Sequence, residues 1–410
     1  MKPKTFMLIA GEASGDLLAA ELVSALRKKL PDATFFGAGG AKMAAAGVEL
    51  AFDLTQHSVI GISDVLKNYF KFRRLFKQLL ALAIERKPDV IIGIDFGGFN
   101  LRFGHAIKKE VRKQFGHGGS ISRQIYQHIR HGGPEPDKPW LPKIVQFVSP
   151  QVWASRPKRA QLLERDHDLL LSIFPFEKDW YARRAPKLRV EFVGHPMLGR
   201  FTNDDLRFTR REPETASIVN RKSQILLLPG SRKSELQRHL PVILPALKLI
   251  REKLPDAKAK MVLPNENLKE LAVKMTALSA DLEIQIGHLP DALAQADAAI
   301  ASTGTVTMEC AFFGVPTVTL YKTSWLTFQI GVRIVTVKSL TMPNLLAGEE
   351  VYPEFIQHFA TPENIAGAVL ELLQNESRRQ KMKAQLEKIV ASLGEPGAAN
   401  RAAAAILELF

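Results

Sequence analysis

Asp95 ends an apolar run, Val90 to Asp95, and is followed by Gly97-Gly98-Phe99-Asn100. A carboxylate at the end of a buried strand can act as a general base on a hydroxyl if burial or neighbours tune its pKa toward the working pH; it can also simply cap the next helix. A second acidic turn, Gly11-Glu12-Ala13-Ser14-Gly15-Asp16, follows the first apolar run. It falls where a strand gives way to a helix, the edge at which open α/β sheets bind ligands, although a glycine-rich corner capped by Ser14 accounts for the same residues. Farther along, Pro229-Gly230-Ser231-Arg232 follows an apolar run and opens a helical pattern. Backbone N–H groups at such a turn, with a guanidinium, make a cradle for a diphosphate. Ser302-Thr303-Gly304-Thr305 repeats the arrangement and sets Glu309 one turn inside the next helix, where it can take hydrogen bonds from ribose hydroxyls or stand solvated.

Other candidates weigh less. Asp166-His167-Asp168 has the spacing of a metal-binding carboxylate pair but lies between a helix and a strand, away from the phosphate turns, so no metal is expected there. His195, in Gly194-His195-Pro196, reads as a structural histidine at a strand end. Gly37-Ala38-Gly39-Gly40 is not a dinucleotide fingerprint, because Lys42 fills the sixth position, and no Gly-Lys-Ser/Thr occurs. A nicotinamide enzyme or an ATPase is thereby disfavoured.

These residues need elements that bring them to common edges. Apolar runs followed by helical periodicity recur at Thr5 to Ala10, Ala33 to Gly37, Val90 to Asp95, Ile144 to Ser149 and Leu169 to Phe174. A second round runs through Gln224 to Leu228, Lys260 to Leu263, Leu282 to Ile286, Ala298 to Ala301 and Thr317 to Leu320. Such alternation makes parallel strands with crossover helices, so two doubly wound domains are expected, 1–201 and 224–375. Residues 202–223, polar and without a sustained apolar period, read as the linker. Helices are expected from about Pro362 onward, with 376–410 packing back on the first domain. Phe115 to Trp140, rich in Gly and Pro, reads as a surface excursion or lid.

From Ser63 to Ala83, the residues Val65, Leu66, Tyr69, Phe72, Phe76, Leu79, Leu80 and Ala83 make one apolar stripe at helical spacing. Lys67, Lys71, Arg73, Arg74 and Lys77 flank it, and Phe70 and Leu75 lie off it. A helix covering its sheet explains the stripe. A basic helix with spare apolar residues also suits a membrane interface, and on that reading Tyr69, Phe70, Phe72, Arg73, Arg74, Phe76 and Lys77 are docking residues.

Composition sets bounds. The 410 residues exceed the usual reach of one core, and an apolar share of 46% can fill two. A net charge of +14 and a pI near 9.7 draw the chain to something anionic: nucleic acid, an acidic lipid surface or phosphorylated substrates. The single cysteine, Cys310, allows no internal disulfide and fits a reducing compartment. Glu12 and Asp16 interrupt the first apolar run too early for a secretory signal, and Glu309 and Pro316 make Ala298 to Tyr321 a poor spanning helix.

Taken in order, seven motifs resemble those of the lipid-A-disaccharide synthase family, inverting glycosyltransferases of the GT-B fold. They are Gly11 to Asp16; Gly93-Ile94-Asp95 with Phe99-Asn100; Ser149-Pro150-Gln151-Val152-Trp153-Ala154; Phe174-Pro175-Phe176-Glu177; Val193-Gly194-His195-Pro196; Leu228-Pro229-Gly230-Ser231-Arg232 with Ser234-Glu235; and Pro343-Asn344 with Glu354 and Gln357. The match spans almost the whole chain. Departures stand beside it: Gly97-Gly98 replaces the family's Pro-Asp, Ser155 its Trp and Asp64 its Glu, Thr303 is an extra residue, and Phe115 to Trp140 is longer.

The resemblance implies two Rossmann-like domains facing each other across a cleft, with UDP-2,3-diacylglucosamine as donor and 2,3-diacylglucosamine 1-phosphate as acceptor. The products are then a β-1,6 disaccharide 1-phosphate and UDP, made without a metal or any cofactor besides the UDP-sugar substrate. Carried onto this sequence, it makes Asp95 the base and sets Glu12, Ser14 and Asp16 beside it on the acceptor side. It puts Gly230, Ser231 and Arg232, with Ser302, Gly304 and Thr305, around the diphosphate, Glu309 on the ribose, and Asn344, Glu354 and Gln357 on the sugar. A cytoplasmic enzyme docked on anionic lipids of the inner membrane's inner face is expected, with no nucleic-acid partner and the homodimer question open. The rival readings are a UDP-sugar epimerase of the same architecture and, from pI alone, a nucleic-acid-binding module.

Overall fold

The structure, a computed structural model, describes residues 3–55, 62–113, 139–201, 223–275 and 282–410, with backbone alone for 62–69. The expected excursion up to residue 138, the expected linker up to residue 222, and the side chains of Asp64, Val65, Leu66, Lys67 and Tyr69 thus lie outside the described residues. The chain divides into two compact units, Met1–Gly199 with Gly394–Phe410, and Arg200–Leu393.

Seven strands make the first unit's sheet: β1 Thr5–Ala10, β2 Thr34–Gly39, β3 Glu49–Asp53, β4 Val90–Ile94, β5 Lys143–Phe147, β6 Leu169–Ser172 and β7 Val190–Phe192. All pair in parallel, in the order β3-β2-β1-β4-β5-β6-β7. Both faces are covered, which is why β1 and β4 are almost continuously apolar and buried. The strand order reverses between β1 and β4, and a crevice forms at that point beyond the carboxyl ends. The turn 11–16 follows β1 and Asp95 follows β4, so the topology alone brings them to one edge.

The second unit repeats the design with β8 Gln224–Leu228, β9 Lys258–Leu263, β10 Leu282–Ile286, β11 Ala298–Ser302, β12 Thr317–Tyr321 and β13 Glu354–Ile356, in the parallel order β10-β9-β8-β11-β12-β13. Its switch point lies between β8 and β11. Those are the two strands that end in Pro229-Gly230-Ser231-Arg232 and Ser302-Thr303-Gly304-Thr305.

The chain's end differs from the expectation that 376–410 would pack on the first unit. Helix Glu376–Ser392 stays with the second unit, where Met382, Leu386 and Ile389 bury their side chains. Only after Gly394 and Gly397, both at positive φ, does the chain cross, and helix Ala398–Leu407 then packs on helix Ala13–Lys29. Arg401 pins it by donating from Nε to the Val193 carbonyl at 2.8 Å.

Helix Ile62–Arg86 covers the first sheet. Leu79 and Ala83 are fully buried, and Phe72, Leu75, Phe76 and Leu80 pack against the same core. Leu75, expected off the stripe, therefore belongs to it. Lys71, Arg73, Arg74 and Lys77 stay exposed beside Phe70, which is 77% exposed.

Candidate active site

At the first unit's switch point the backbone is strained. Asp95, Phe96 and Val148 have φ of 50°, 43° and 67°, a region that costs a residue with a side chain about 1 kcal/mol or more. Amides hold it there. Asn100 donates from Nδ2 to the Asp95 carbonyl at 2.9 Å, and Gln146 donates from Nε2 to the same carbonyl at 2.9 Å and to that of Val148 at 3.1 Å. The buried oxygens of both amides, Oδ1 of Asn100 and Oε1 of Gln146, have no hydrogen-bond partner among the described residues. Gly93 makes room for this, since a Cβ on it would stand 2.7 Å from the Asn100 side chain.

The Asp95 carboxylate turns back to the first turn. Burial raises its pKa, while the Phe96 N–H and the Ser14 hydroxyl oppose that rise by hydrogen bonding. Ser14 is therefore a partner of Asp95 rather than a helix cap. The cap position belongs to Glu12, whose carbonyl accepts the Asp16 N–H at 2.9 Å. Asp16 does something different from what the motif suggested. Its carboxylate is buried and accepts the N–H groups of Gly40, Lys42 and Met43 at 2.8, 2.9 and 3.0 Å. These three hydrogen bonds brace the turn after β2, so Asp16 shapes the edge beside Asp95.

An aromatic row flanks Asp95. Phe96 stacks on Phe99 at 5.3 Å and Phe99 on Phe103 at 6.2 Å, with Phe76 edge-on to both Phe99 and Phe103 and Phe72 tilted 6.5 Å from Phe96. Phe72 and Phe76 thus face inward, which corrects their assignment as docking residues. Gly11 accommodates the row, because a Cβ there would meet the Phe96 ring at 2.6 Å. Gly97 likewise lies against Pro150, whereas Gly98 faces open space.

Glu177 stands out in the sequence only as part of Phe174-Pro175-Phe176-Glu177. The structure buries it at 1% exposure, accepting from Trp153 Nε1 at 2.9 Å and from the Ser149 hydroxyl. Burial pushes its pKa up to about 7. Ser149 also bonds the Tyr181 hydroxyl at 3.0 Å. The knot ties the ends of β5 and β6 together. His195 is buried and accepts the Met197 N–H on Nδ1 at 3.3 Å. Asp166 and Asp168 are engaged by Arg165 with His105 and by Lys108, and among the described residues no group of His, Cys, Asp and Glu is arranged to hold a metal.

In the second unit, Gly230 has φ 126° and a Cβ there would lie 2.3 Å from the Glu235 carboxylate. That carboxylate accepts the Ser231 N–H at 2.8 Å and a hydrogen bond from Arg232 at 3.1 Å. Glu235 thus occupies the donors that the turn offers to an anion. His239 fastens the turn, donating from Nδ1 to the Pro229 carbonyl at 2.6 Å and accepting the Lys322 N–H on Nε2 at 3.1 Å. The pairing requires the neutral ring, and burial lowers its pKa accordingly. Its signal in sequence is only a histidine two helical turns past Arg232.

Ser302 is buried, and Gly304 and Thr305 are exposed at the neighbouring turn. Burial pushes the Glu309 carboxyl up to about 7 against the pull of Arg200. Asn344, Glu354 and Gln357 gather near the end of β12, but their polar atoms are largely used internally. Asn344 donates to the Tyr352 carbonyl and to Glu354, and accepts the N–H groups of Val351 and Tyr352. Glu354 accepts the N–H groups of Leu340 and Thr341, and Gln357 pairs both ways with the Thr323 backbone. The expectation that Asn344 touches the sugar gives way to a bracing role, since its hydrogen-bonding capacity is filled.

Two doubly wound units, each with a charged turn at its switch point, define a GT-B-type α/β protein. Solved structures agree on the fold: the glycotransferase of kitacinnamycin has a TM-score of 0.54 at 17% identity, covering 100% of this chain and 99% of its own. The UDP-GlcNAc 2-epimerase from Neisseria meningitidis bound to UDP-GlcNAc has 0.53 at 12% identity, covering 99% of each chain. A family model described as lipid-A-disaccharide synthetase matches residues 6–117 and 137–409. Lipid-A-disaccharide synthases of Myxococcus xanthus and Trichlorobacter lovleyi are 35% and 34% identical, each covering 100% of this chain and 98% of the relative. The chain belongs to the lipid-A-disaccharide synthetase family.

Proposed function

We propose that the enzyme transfers 2,3-diacylglucosamine from its UDP donor to the 6-hydroxyl of 2,3-diacylglucosamine 1-phosphate, forming the β-1,6 disaccharide 1-phosphate and UDP. The observation that carries the chemistry is Asp95, a carboxylate with a raised pKa held in a strained turn at a switch point. Asp95 takes the proton of the 6-hydroxyl as that oxygen attacks C1 of the donor sugar. The bond from C1 to the UDP oxygen breaks on the opposite side, so the α-linked donor gives a β product. Charge on the departing UDP is met by Arg232 and by the backbone donors at 230–231 and 302–305, so no metal is needed. A diphosphate repels the Glu235 carboxylate and takes over Ser231 and Arg232 from it. Glu309 meets the ribose hydroxyls. Gln357 and Glu354 shape the sugar end, and the aromatic row from Phe96 to Phe103 lies along the acceptor's acyl chains.

Exposed Phe70, Arg73, Arg74 and Lys77 dock the first unit on anionic lipid of the membrane's inner face. The test is direct: purified enzyme with synthetic donor and acceptor in EDTA should yield a disaccharide whose anomeric proton coupling reports the β configuration. An α product, or activity abolished by EDTA and restored by a divalent cation, would contradict the mechanism. Turnover of UDP-N-acetylglucosamine without lipid would favour an epimerase.

A further inference from the structure

Helix Trp325–Ile334 of the second unit, Trp-Leu-Thr-Phe-Gln-Ile-Gly-Val-Arg-Ile, contains no buried residue. Trp325, Leu326 and Val332 are 71%, 64% and 62% exposed. Six of the helix's ten residues are large and apolar, and exposed apolar side chains gathered on one helix mark an interaction surface. At 10 residues it is too short to cross a bilayer. Charge identifies what covers it. From Cys310 to Gly348 there is no Asp or Glu, while Lys322, Arg333 and Lys338 punctuate the stretch, and Arg333 and Lys338 are exposed. Trp325, Leu326, Val332 and Arg333 fall on one side of the helix at its 3.6-residue period. Two copies of this face meeting about a two-fold axis would set cation against cation with no acid in the stretch to offset it.

We infer that this helix is a lipid-docking element of the second unit, lying in the headgroup layer of an anionic bilayer. Trp325, Leu326 and Val332 sit among the acyl chains, and Arg333 and Lys338 meet lipid phosphates. The surface is separate from helix Ile62–Arg86 and does not depend on the glycosyl-transfer chemistry.

The four tryptophans make it testable, since Trp140 and Trp153 are buried, Trp180 is half-buried and Trp325 is exposed. Full-length protein is mixed with vesicles of phosphatidylcholine containing phosphatidylglycerol with brominated acyl chains. Emission of the wild type should be quenched, and Trp325→Phe should still float with the vesicles while losing most of the quenchable component. Leu326→Ser with Val332→Ser should weaken vesicle affinity by on the order of ten-fold, with UDP binding unchanged as evidence of folding. Vesicles of phosphatidylcholine alone should bind weakly. Flotation with Trp325 unquenched, or unchanged affinity in the double variant, would overturn the inference. So would a double variant that turns a dimer into a monomer in sedimentation without losing vesicle affinity, which would assign the face to a second copy. Absence of glycosyl transfer with quenching intact would refute the proposed reaction and leave this inference standing.

Discussion

Asp95 is held at φ 50° by two side-chain amides that both donate to its carbonyl. Such an arrangement serves position, so Gln146→Leu should lower kcat about ten-fold with little change in KM, the loss expected when a base is misplaced by a fraction of an ångström. Steady-state kinetics check this, and a rise in KM with kcat unchanged would make Gln146 a binding residue instead. Glu177 gives a different signal, in stability. Its carboxyl is raised from 4.5 to about 7, so the folded protein holds a proton that the unfolded chain releases, and stability falls as pH rises from about 4.5 through about 7. Glu309 has the same sign, whereas His167, lowered to about 4, contributes stability that is lost as pH falls from 6.5 toward 4. The difference between the wild type and Glu177→Gln isolates one slope: the variant's Tm should fall less between pH 5 and 7. Parallel curves would contradict the assignment. At this scale the sequence revealed Asp95 because an apolar run ended in a carboxylate. It did not reveal Gln146 or His239, since an amide inside a strand or a histidine inside a helix has no local pattern. Nor did it reveal the bracing bonds of Asp16 and Asn344, whose partners lie 24 and 8 residues away.

Strand ends and helix starts carry the turns of the proposed donor site in the second unit. Gly230→Ala would push a methyl into Glu235 at a φ that alanine rarely adopts, so UDP should bind about five-fold to a hundred-fold more weakly, as a strain of about 1–3 kcal/mol implies. Calorimetric titration measures it, and unchanged affinity would remove this turn from the diphosphate site. On helix Ile62–Arg86, Arg73→Glu with Lys77→Glu should reduce flotation with anionic vesicles and leave UDP affinity alone. Equal flotation would return the helix to a purely structural role. Ten strands were legible from apolar runs to within a few residues. Three were not: Glu49–Asp53 is only partly buried, and Val190–Phe192 and Glu354–Ile356 have three residues each, too few for an apolar pattern to stand out. The same helix carried two signals that were hard to separate, because Phe72, Leu75 and Phe76 fill the core while Phe70 and the cations face outward.

Across the whole molecule, each unit has its own sheet and core, so with the proposed donor site in the second, UDP should raise the transition of that unit in calorimetry by mass action on its folded state. A shift confined to the other unit would misplace the donor site. The two-domain plan was readable because the β-then-helix rhythm occurs twice. The path of the last helices was not, since only the glycines at 394 and 397 mark where the chain leaves one unit for the other. The central claim is that Asp95 activates an acceptor hydroxyl, and it is tested by mixing purified enzyme with UDP-2,3-diacylglucosamine and following UDP release with and without 2,3-diacylglucosamine 1-phosphate. The account predicts acceptor-dependent release that falls by at least about 100-fold in Asp95→Asn, the scale of general-base catalysis. Release that ignores the acceptor, or that survives in Asp95→Asn, would contradict it.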